Sequence, residues 1–231
     1  MAEIVDEPGL RNRVHIFDDR FHAGEMLAEK LIGYEGREDA CVLTIPAGGV
    51  QVAYVVAQRL GLPLDVVVTR KLHIPWNREA GFGAVSWDGF ILLNEPLVSA
   101  LGLTERDVDR CVEEEKEAIS RRLETFRGDR PFPDLRDKIA IVVDDGLASG
   151  FSMLVTLKAL KQRGVRERIV AVPTAPETAI NLLRPHADGI ICLNIRTGPI
   201  FAVADAYKVW YDLDDEDVLD ILRMANLAEP N

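Results

Sequence analysis

The stretch Ile141-Val-Val-Asp144-Asp145-Gly146-Leu-Ala148-Ser149-Gly150-Phe151-Ser152-Met153 decides the fold of this chain. It runs from an apolar segment through two adjacent acids and a small-residue loop into an amphipathic segment, which predicts a buried strand, a turn and a helix. Carboxylates at a strand end suit sugar hydroxyls and a Mg²⁺ shell, and N–H groups at a helix start suit a phosphate. The stretch therefore predicts a sugar-phosphate site, although an acidic turn that only caps the helix would use the same residues.

The rest of the chain repeats this alternation of strand and helix. Apolar runs predict strands at 41–45, 64–69, 139–143, 169–172 and 190–193, and amphipathic runs predict helices at 19–32, 50–60, 150–163 and 177–183. The strand runs are continuously apolar rather than alternating, which indicates strands covered on both faces. The fold class is therefore predicted to be α/β, with a doubly wound parallel sheet.

Three segments depart from this rhythm. Residues 72–87 contain Pro75, Gly81 and Gly83 and predict a long loop with some hairpin, closed by the turn dipeptide Asp88-Gly89 before a strand at 90–94. A long helix is predicted at 104–127 as an insertion, and a last helix begins near residue 214 with acids in its first turn. The expected organisation is one domain over 1–231, with a core at about 36–198 and the insertion at about 104–128.

Composition excludes several classes of protein. The net charge of −11 argues against a nucleic-acid or an anionic membrane partner, since both require a basic surface. The first residues are acidic and no apolar run reaches the length of a membrane span. The three cysteines, Cys41, Cys111 and Cys192, form no C-x-x-C pair and predict reduced, buried thiols. A cytoplasmic protein is expected.

Four motifs together resemble the type I phosphoribosyltransferase superfamily. They are the stretch at 141–153, Pro46-Ala47-Gly48-Gly49 after the first predicted strand, the run Arg70-Lys71-Leu-His-Ile-Pro75-Trp-Asn77-Arg78-Glu79, and the opening Phe17-Asp-Asp-Arg20-Phe-His-Ala23-Gly24. The last two are similar to a subgroup known as predicted phosphoribosyltransferases. The resemblance extends from about residue 17 to 222 and implies a hood beside the sheet, built from about 14–35 and 199–227.

The resemblance implies a substrate, phosphoribosyl pyrophosphate (PRPP), and a role for each motif. Asp144 and Asp145 would hold the ribose and the Mg²⁺ shell, and the catalytic set would also contain Arg70 and Lys71, which reach the pyrophosphate. The PRPP-binding residues would be Pro46, Ala47, Gly48, Gly49, Gly146, Ala148, Ser149, Gly150, Phe151 and Ser152. Arg78 and Glu79 would lie in a flexible loop that excludes water.

The aromatic residues of the C-terminal segment leave two interpretations open. Tyr207 and Trp210 could stack on an acceptor base in the hood, or they could form the core of that hood. The partners implied are PRPP with Mg²⁺, a small-molecule acceptor and a second copy in a homodimer. No general base is evident in the sequence.

One departure from the resembled family bears on activity. Relatives in the subgroup commonly read Pro-Arg-Gly-Gly, whereas this chain has Ala47, which removes a cation from the pyrophosphate side. The leading hypothesis is transfer of phosphoribose to a nitrogen acceptor, a nucleobase, with release of pyrophosphate in nucleotide metabolism. The alternatives are a non-catalytic module that senses PRPP or a nucleotide, and a weaker one, a phosphate-ester hydrolase.

Overall fold

A computed structural model describes residues 2–227, apart from the side chains of residues 78, 79, 226 and 227. The strands are β1 (Glu3–Val5), β2 (Ala40–Thr44), β3 (Leu64–Val66), β4 (Thr69–Ile74), β5 (Asn77–Ser86), β6 (Ile91–Leu93), β7 (Ile139–Val143), β8 (Glu167–Pro176) and β9 (Gly189–Arg196). The helices are α1 (Arg20–Lys30), α2 (Gly49–Leu60), α3 (Glu95–Ala100), α4 (Glu105–Arg127), α5 (Phe151–Gln162), α6 (Glu177–Leu183) and α7 (Asp215–Leu227).

Six strands form the parallel sheet, in the order β1-β9-β8-β7-β2-β3. Every residue of the central strands β2 and β7 is buried, because helices cover both faces of the sheet. One apolar cluster lies between the sheet and α5 and α6, and the other lies between the sheet and α1 and α2. The predicted doubly wound parallel sheet is therefore confirmed. Its edge strand β1, only three residues long, was not predicted.

A second sheet, antiparallel and ordered β4-β5-β6, takes the place of the long loop expected at 72–87. The hairpin predicted with it is confirmed, because Asp88 and Gly89 lie in the turn between β5 and β6. The glycines that suggested a loop are instead where the strands approach closely. A Cβ atom on Gly81 would lie 2.4 Å from Cγ of Lys71, and one on Gly83 would lie 2.6 Å from the carbonyl oxygen of Leu92. The predicted strand at 64–69 is also divided, since Thr69 already belongs to the second sheet.

The predicted insertion helix is confirmed as α4. Thr104 caps it, and Thr104 and Asp107 satisfy each other's backbone N–H groups in a capping box. Its apolar residues, among them Val112, Ile119 and Phe126, join the cluster beneath the second sheet, and α7 adds Val218, Ile221 and Leu222. The boundary between a core and a hood stays a prediction, although Ala23 and Leu27 of α1 pack into the main core.

The close packing of α1 on α2 gives a first prediction. A Cβ atom on Gly24 would lie 2.7 Å from Cβ of Val55 and 3.0 Å from the carbonyl oxygen of Val52. We expect Gly24→Ala to lower the free energy of unfolding by about 1–3 kcal/mol, because the two helices must separate. Urea denaturation measures the change. Gly33→Ala is the control, since no atom lies within 4 Å of its added Cβ. An equal or higher midpoint for Gly24→Ala would contradict the packing argument.

Candidate functional site

Two loops meet at the carboxyl edge of the parallel sheet. They follow β2 and β7, which are neighbours paired in register from Ala40 with Ile139 to Thr44 with Val143. A Cβ atom on Gly49 would lie 2.9 Å from Cα of Asp144, and one on Gly48 would lie 2.1 Å from Oδ2 of Asp145. Residues 46–49 and the acidic pair are thus in direct contact, at the edge where open α/β sheets bind ligands.

Of the acidic pair, Asp144 is half-buried and Asp145 is buried. Oδ1 of Asp144 accepts a hydrogen bond of 2.9 Å from the backbone N–H of Asp145. Burial, together with the neighbouring charge of Asp145, raises the pKa of Asp144 well above its ordinary value. Asp145 is buried, and its Oδ2 lies 2.8 Å from Nε of Arg20. The two carboxylates therefore differ: Asp145 has a fixed cationic partner among the described residues and Asp144 does not.

Arg20 lies in this candidate site, although the sequence interpretation gave it no role beyond its place in the opening motif. Its side chain is 3% exposed, and besides Asp145 it donates from Nη1 to the carbonyl oxygen of Tyr211 at 2.9 Å. Its guanidinium carbon lies 3.9 Å from the centre of the Trp210 ring. A signal existed, since Arg20 is the first residue of α1, where the helix dipole disfavours a cation. An arginine there requires a partner from elsewhere in the chain.

The two predicted base-binding aromatics have ring centres 5.2 Å apart but differ in exposure. Tyr207 is 1% exposed and has no free ring face for a base, and its hydroxyl donates to the carbonyl oxygen of Asp145 at 2.5 Å. We therefore correct its assignment from base contact to support of the acidic pair. Trp210 is 36% exposed and stacks on Arg20, so its role in base binding stays a prediction.

The loop after the acidic pair has a tightly packed first half and an open second half. A Cβ atom on Gly146 would lie 2.5 Å from Cγ1 of Val203, whereas Ala148 and Ser149 are exposed. Gly150 has a φ of +76°, and α5 begins at Phe151, with Ser152 next in its first turn. The first N–H groups of a helix have no partner within it. Residues 148–152 thus place backbone donors at the start of α5, as a phosphate requires, although the N–H of Phe151 already donates to Oγ of Ser149 at 3.3 Å.

The predicted basic pair is divided between two faces of β4. Neighbouring residues of a strand point to opposite faces, so only one of the two can turn toward the site. Nε of Arg70 lies 2.8 Å from Oε2 of Glu115 on α4. Lys71 is exposed and makes no ion pair with any described side chain. It shares its face with Thr69, whose hydroxyl lies 3.2 Å from that of Thr156 on α5. Lys71 is therefore the available cation.

Two other predicted site features are the loop residues 78 and 79 and the turn at 46 and 47. The backbone of Arg78 and Glu79 lies in β5, but their side chains lie outside the described part of the structure, so their role in a closing loop stays a prediction. Pro46 and Ala47 are joined by a cis peptide bond. Ala47 packs against the apolar cluster beneath the second sheet and contributes no charge.

Asp144 and Asp145 offer two carboxylates to a magnesium ion, and water and a substrate would complete its coordination. In the described residues, no group of three or more His, Cys, Asp or Glu side chains is arranged to hold a metal. Mg²⁺ is commonly bound through one or two carboxylates together with substrate phosphates and water. Asp144 and Asp145 can supply the carboxylates, with Asp144 the less engaged of the two.

The cysteine thiols do not belong to the site. Cys41, Cys111 and Cys192 are free and buried, as the sequence predicts. Burial raises the pKa of Cys41 and of Cys192 to about 12, which keeps both thiols protonated at neutral pH.

Among residues 2–227, no helix is long and apolar enough to cross a membrane.

The buried ion pair gives a second prediction. We expect Asp145→Asn to lower the free energy of unfolding by about 3 kcal/mol, because Arg20 would stay buried without its counter-charge. Arg20→Gln combined with Asp145→Asn should cost less than the sum of the two single changes. Urea denaturation of the four proteins in a double-mutant cycle measures the coupling. Additive costs would show that the ion pair contributes nothing specific.

Comparison with known proteins agrees with this geometry. A family model described as "Phosphoribosyl transferase domain" matches residues 14–201. Curated proteins from two strains of Mycobacterium tuberculosis, provisionally named as phosphoribosyl transferases, are each 35% identical over 211 residues, or 91% of this chain. The chain spans about half of their length, 47%. The crystal structure of TT1426 from Thermus thermophilus has 37% identity and a TM-score of 0.74, covering 89% of this chain and 97% of that one. The chain belongs to the phosphoribosyl transferase domain family.

Proposed function

We propose that the chain binds PRPP with Mg²⁺ and transfers phosphoribose to a nitrogen acceptor, a nucleobase, with release of pyrophosphate. The observation that carries this proposal is the contact between two loops, in which Gly48 lies directly against Oδ2 of Asp145. One loop offers backbone to a diphosphate and the other offers carboxylates and helix N–H groups to a ribose phosphate. PRPP carries all of these groups on one ring.

In this proposal the protein positions the reactants and performs little covalent chemistry. The bond from C1 of the ribose to the pyrophosphate oxygen breaks, and the acceptor nitrogen bonds to C1 in its place while its proton is taken up by the departing pyrophosphate. Asp144 and Asp145 would hold the ribose hydroxyls and the metal shell, and residues 148–152 would hold the 5-phosphate. Gly48, Gly49 and Lys71 stabilise the departing pyrophosphate. Fixed dipoles and charges of this kind act on the charge that develops at the leaving group.

The acceptor site is proposed at the exposed face of Trp210. The other face of its ring lies over Arg20, so the indole is held in place before a base arrives. A rigid aromatic surface of this kind suits a planar heterocycle. The cationic centre that develops at C1 requires exclusion of water, which the hairpin of β4 and β5 would provide.

A non-catalytic sensor of PRPP or a nucleotide remains the second candidate, and one observation favours it. Ala47 brings no charge to the pyrophosphate loop, and Arg70 is engaged by Glu115. Among the three residues 47, 70 and 71, only Lys71 is left as a cation for the leaving group. Such a site could bind its ligand and still stabilise departing pyrophosphate too weakly for turnover.

Calorimetric titration with PRPP, with and without Mg²⁺, is the first experiment, followed by a pyrophosphate-release assay with a panel of nucleobases. We expect magnesium-dependent binding and base-dependent pyrophosphate. Binding without release would favour the sensor, and release of phosphate would favour the hydrolase. No binding at millimolar PRPP would refute the proposal.

The division of the basic pair gives a matched test of the site. We expect Lys71→Ala to weaken binding of PRPP·Mg²⁺ by about tenfold, the loss of a charge-assisted contact of about 1.4 kcal/mol. Arg70→Ala should change it less than about threefold, because Glu115 already engages that guanidinium. Calorimetry on both variants makes the comparison. A larger effect at Arg70 would reverse the assignment.

We also infer a cytoplasmic setting and a homodimer. The three buried, unpaired thiols suit a reducing compartment. Light scattering on the purified chain would give its mass in solution and decide the second point.

A further inference from the structure

Arg20 is a buried cation with hydrogen-bond partners and an aromatic ring around its guanidinium. Its Nε binds Oδ2 of Asp145, its Nη1 binds the carbonyl oxygen of Tyr211, and its flat face is covered by the Trp210 ring at 3.9 Å. The rings of Tyr207 and Tyr211 lie 6.0 Å and 5.8 Å from its guanidinium carbon. A desolvated charge is costly unless it is paired and hydrogen-bonded, and this one is both.

The C-terminal residues that enclose Arg20 also contact the backbone of Asp145. The aromatic segment, residues 207–211, donates the Tyr207 hydroxyl to the Asp145 carbonyl oxygen, and Gln51 of α2 fixes the Tyr211 hydroxyl at 3.0 Å. Backbone bonds from Lys208 to Phe17 and from Val209 to Asp18 hold this segment against the residues preceding α1. Both the carbonyl and the carboxylate of Asp145 are therefore fixed by one assembly of N- and C-terminal residues.

We propose that Arg20 is a positioning residue that occupies Oδ2 of Asp145 and so leaves Asp144 as the carboxylate that faces the metal and the ribose. The inference rests on the proposed function and adds a division of labour within the acidic pair. Two adjacent carboxylates would otherwise compete for one cation or repel each other. With Arg20 in place, the pair presents about one negative charge to a ligand that is itself strongly anionic.

Stability alone does not account for the arrangement. Replacing a buried ion pair by well-packed apolar side chains is often neutral or stabilising, so packing would not require an arginine here. Its position at the start of α1 also opposes the helix dipole. Oδ2 of Asp145 is moreover the atom that would touch a Cβ on Gly48, so its position also shapes the loop at 46–49.

Binding of Mn²⁺ in the absence of PRPP tests the proposal through paramagnetic resonance of the free ion. Arg20→Gln should raise the affinity for Mn²⁺ by about fivefold, because a repelling cation is removed and Oδ2 becomes available. It should lower the affinity for PRPP·Mg²⁺ by about tenfold, because Asp145 loses its fixed position. General loss of the fold would lower both affinities, so opposite signs identify positioning. Arg20→Lys, which keeps the charge, should hold Mn²⁺ affinity within about twofold of the wild-type value.

Arg59→Gln is the matched control, since Arg59 is an exposed arginine paired with Glu25 and should alter neither affinity. An unchanged or lower Mn²⁺ affinity in a folded Arg20→Gln protein overturns the proposal, as does the absence of Mn²⁺ binding in both proteins. If Arg20→Gln does not fold, Trp210→Leu replaces it in the titration. This variant keeps both members of the ion pair and removes the ring that packs on the guanidinium of Arg20. A rise of about twofold in Mn²⁺ affinity is then expected, and an affinity that does not rise overturns the proposal.

The metal titration separates this inference from the proposed function. It contains no PRPP, so wild-type protein that fails to bind PRPP would refute the transferase while leaving the difference in Mn²⁺ affinity intact. Conversely, strong binding of PRPP with equal Mn²⁺ affinity in the two proteins would refute the role of Arg20 alone.

Discussion

The ion pair between Arg20 and Asp145 connects three distant parts of the chain. It joins the start of α1 to the loop after β7, and the residues that enclose it come from the segment 207–211. A buried charge tolerates few alternative positions, because a displaced charge would lie in apolar surroundings without its partner. The pair therefore fixes the aromatic segment, residues 207–211, against the sheet. The geometry of the acidic loop after β7 depends on the same pair. This is a constraint on shape more than a source of stability.

The parallel sheet supplies the second constraint, since it brings two loops with different chemistry to one edge. β2 and β7 are neighbours in space although they are far apart in sequence. The glycines at 48 and 49 are required because the acidic loop occupies the volume of any side chain there. Backbone N–H groups and carboxylates thus lie within one small region, where a ligand can contact both. The resulting candidate site presents main-chain atoms on one side and acids on the other.

Local patterns were enough to predict the strand, loop and helix of the acidic motif, because each depends on neighbours in sequence. The continuous apolar runs of β2 and β7 likewise revealed the buried parallel sheet. The extent of the second sheet was missed, since Gly81 and Gly83 mark close strand approach as readily as a loop. The separation of Arg70 from Lys71 depends on Glu115, and the role of Arg20 depends on residues 207–211. Such long-range partners leave little trace in a single sequence.

The charges that remain free determine how this site can recognise an anion. The chain has a net charge of −11, and two of the arginines near the site, Arg20 and Arg70, are paired with acids. Among the described side chains at positions 47, 70 and 71, Lys71 is the cation that makes no ion pair, and Ala47 adds no charge. In the proposed function, recognition would therefore rest on backbone N–H groups, on the start of α5 and on a bound metal ion. Donors of this kind are fixed in direction, so they select a ligand by the placement of its phosphates rather than by its total charge. A site built in this way gains its specificity from the positions of two loops, which the Arg20–Asp145 pair holds in place.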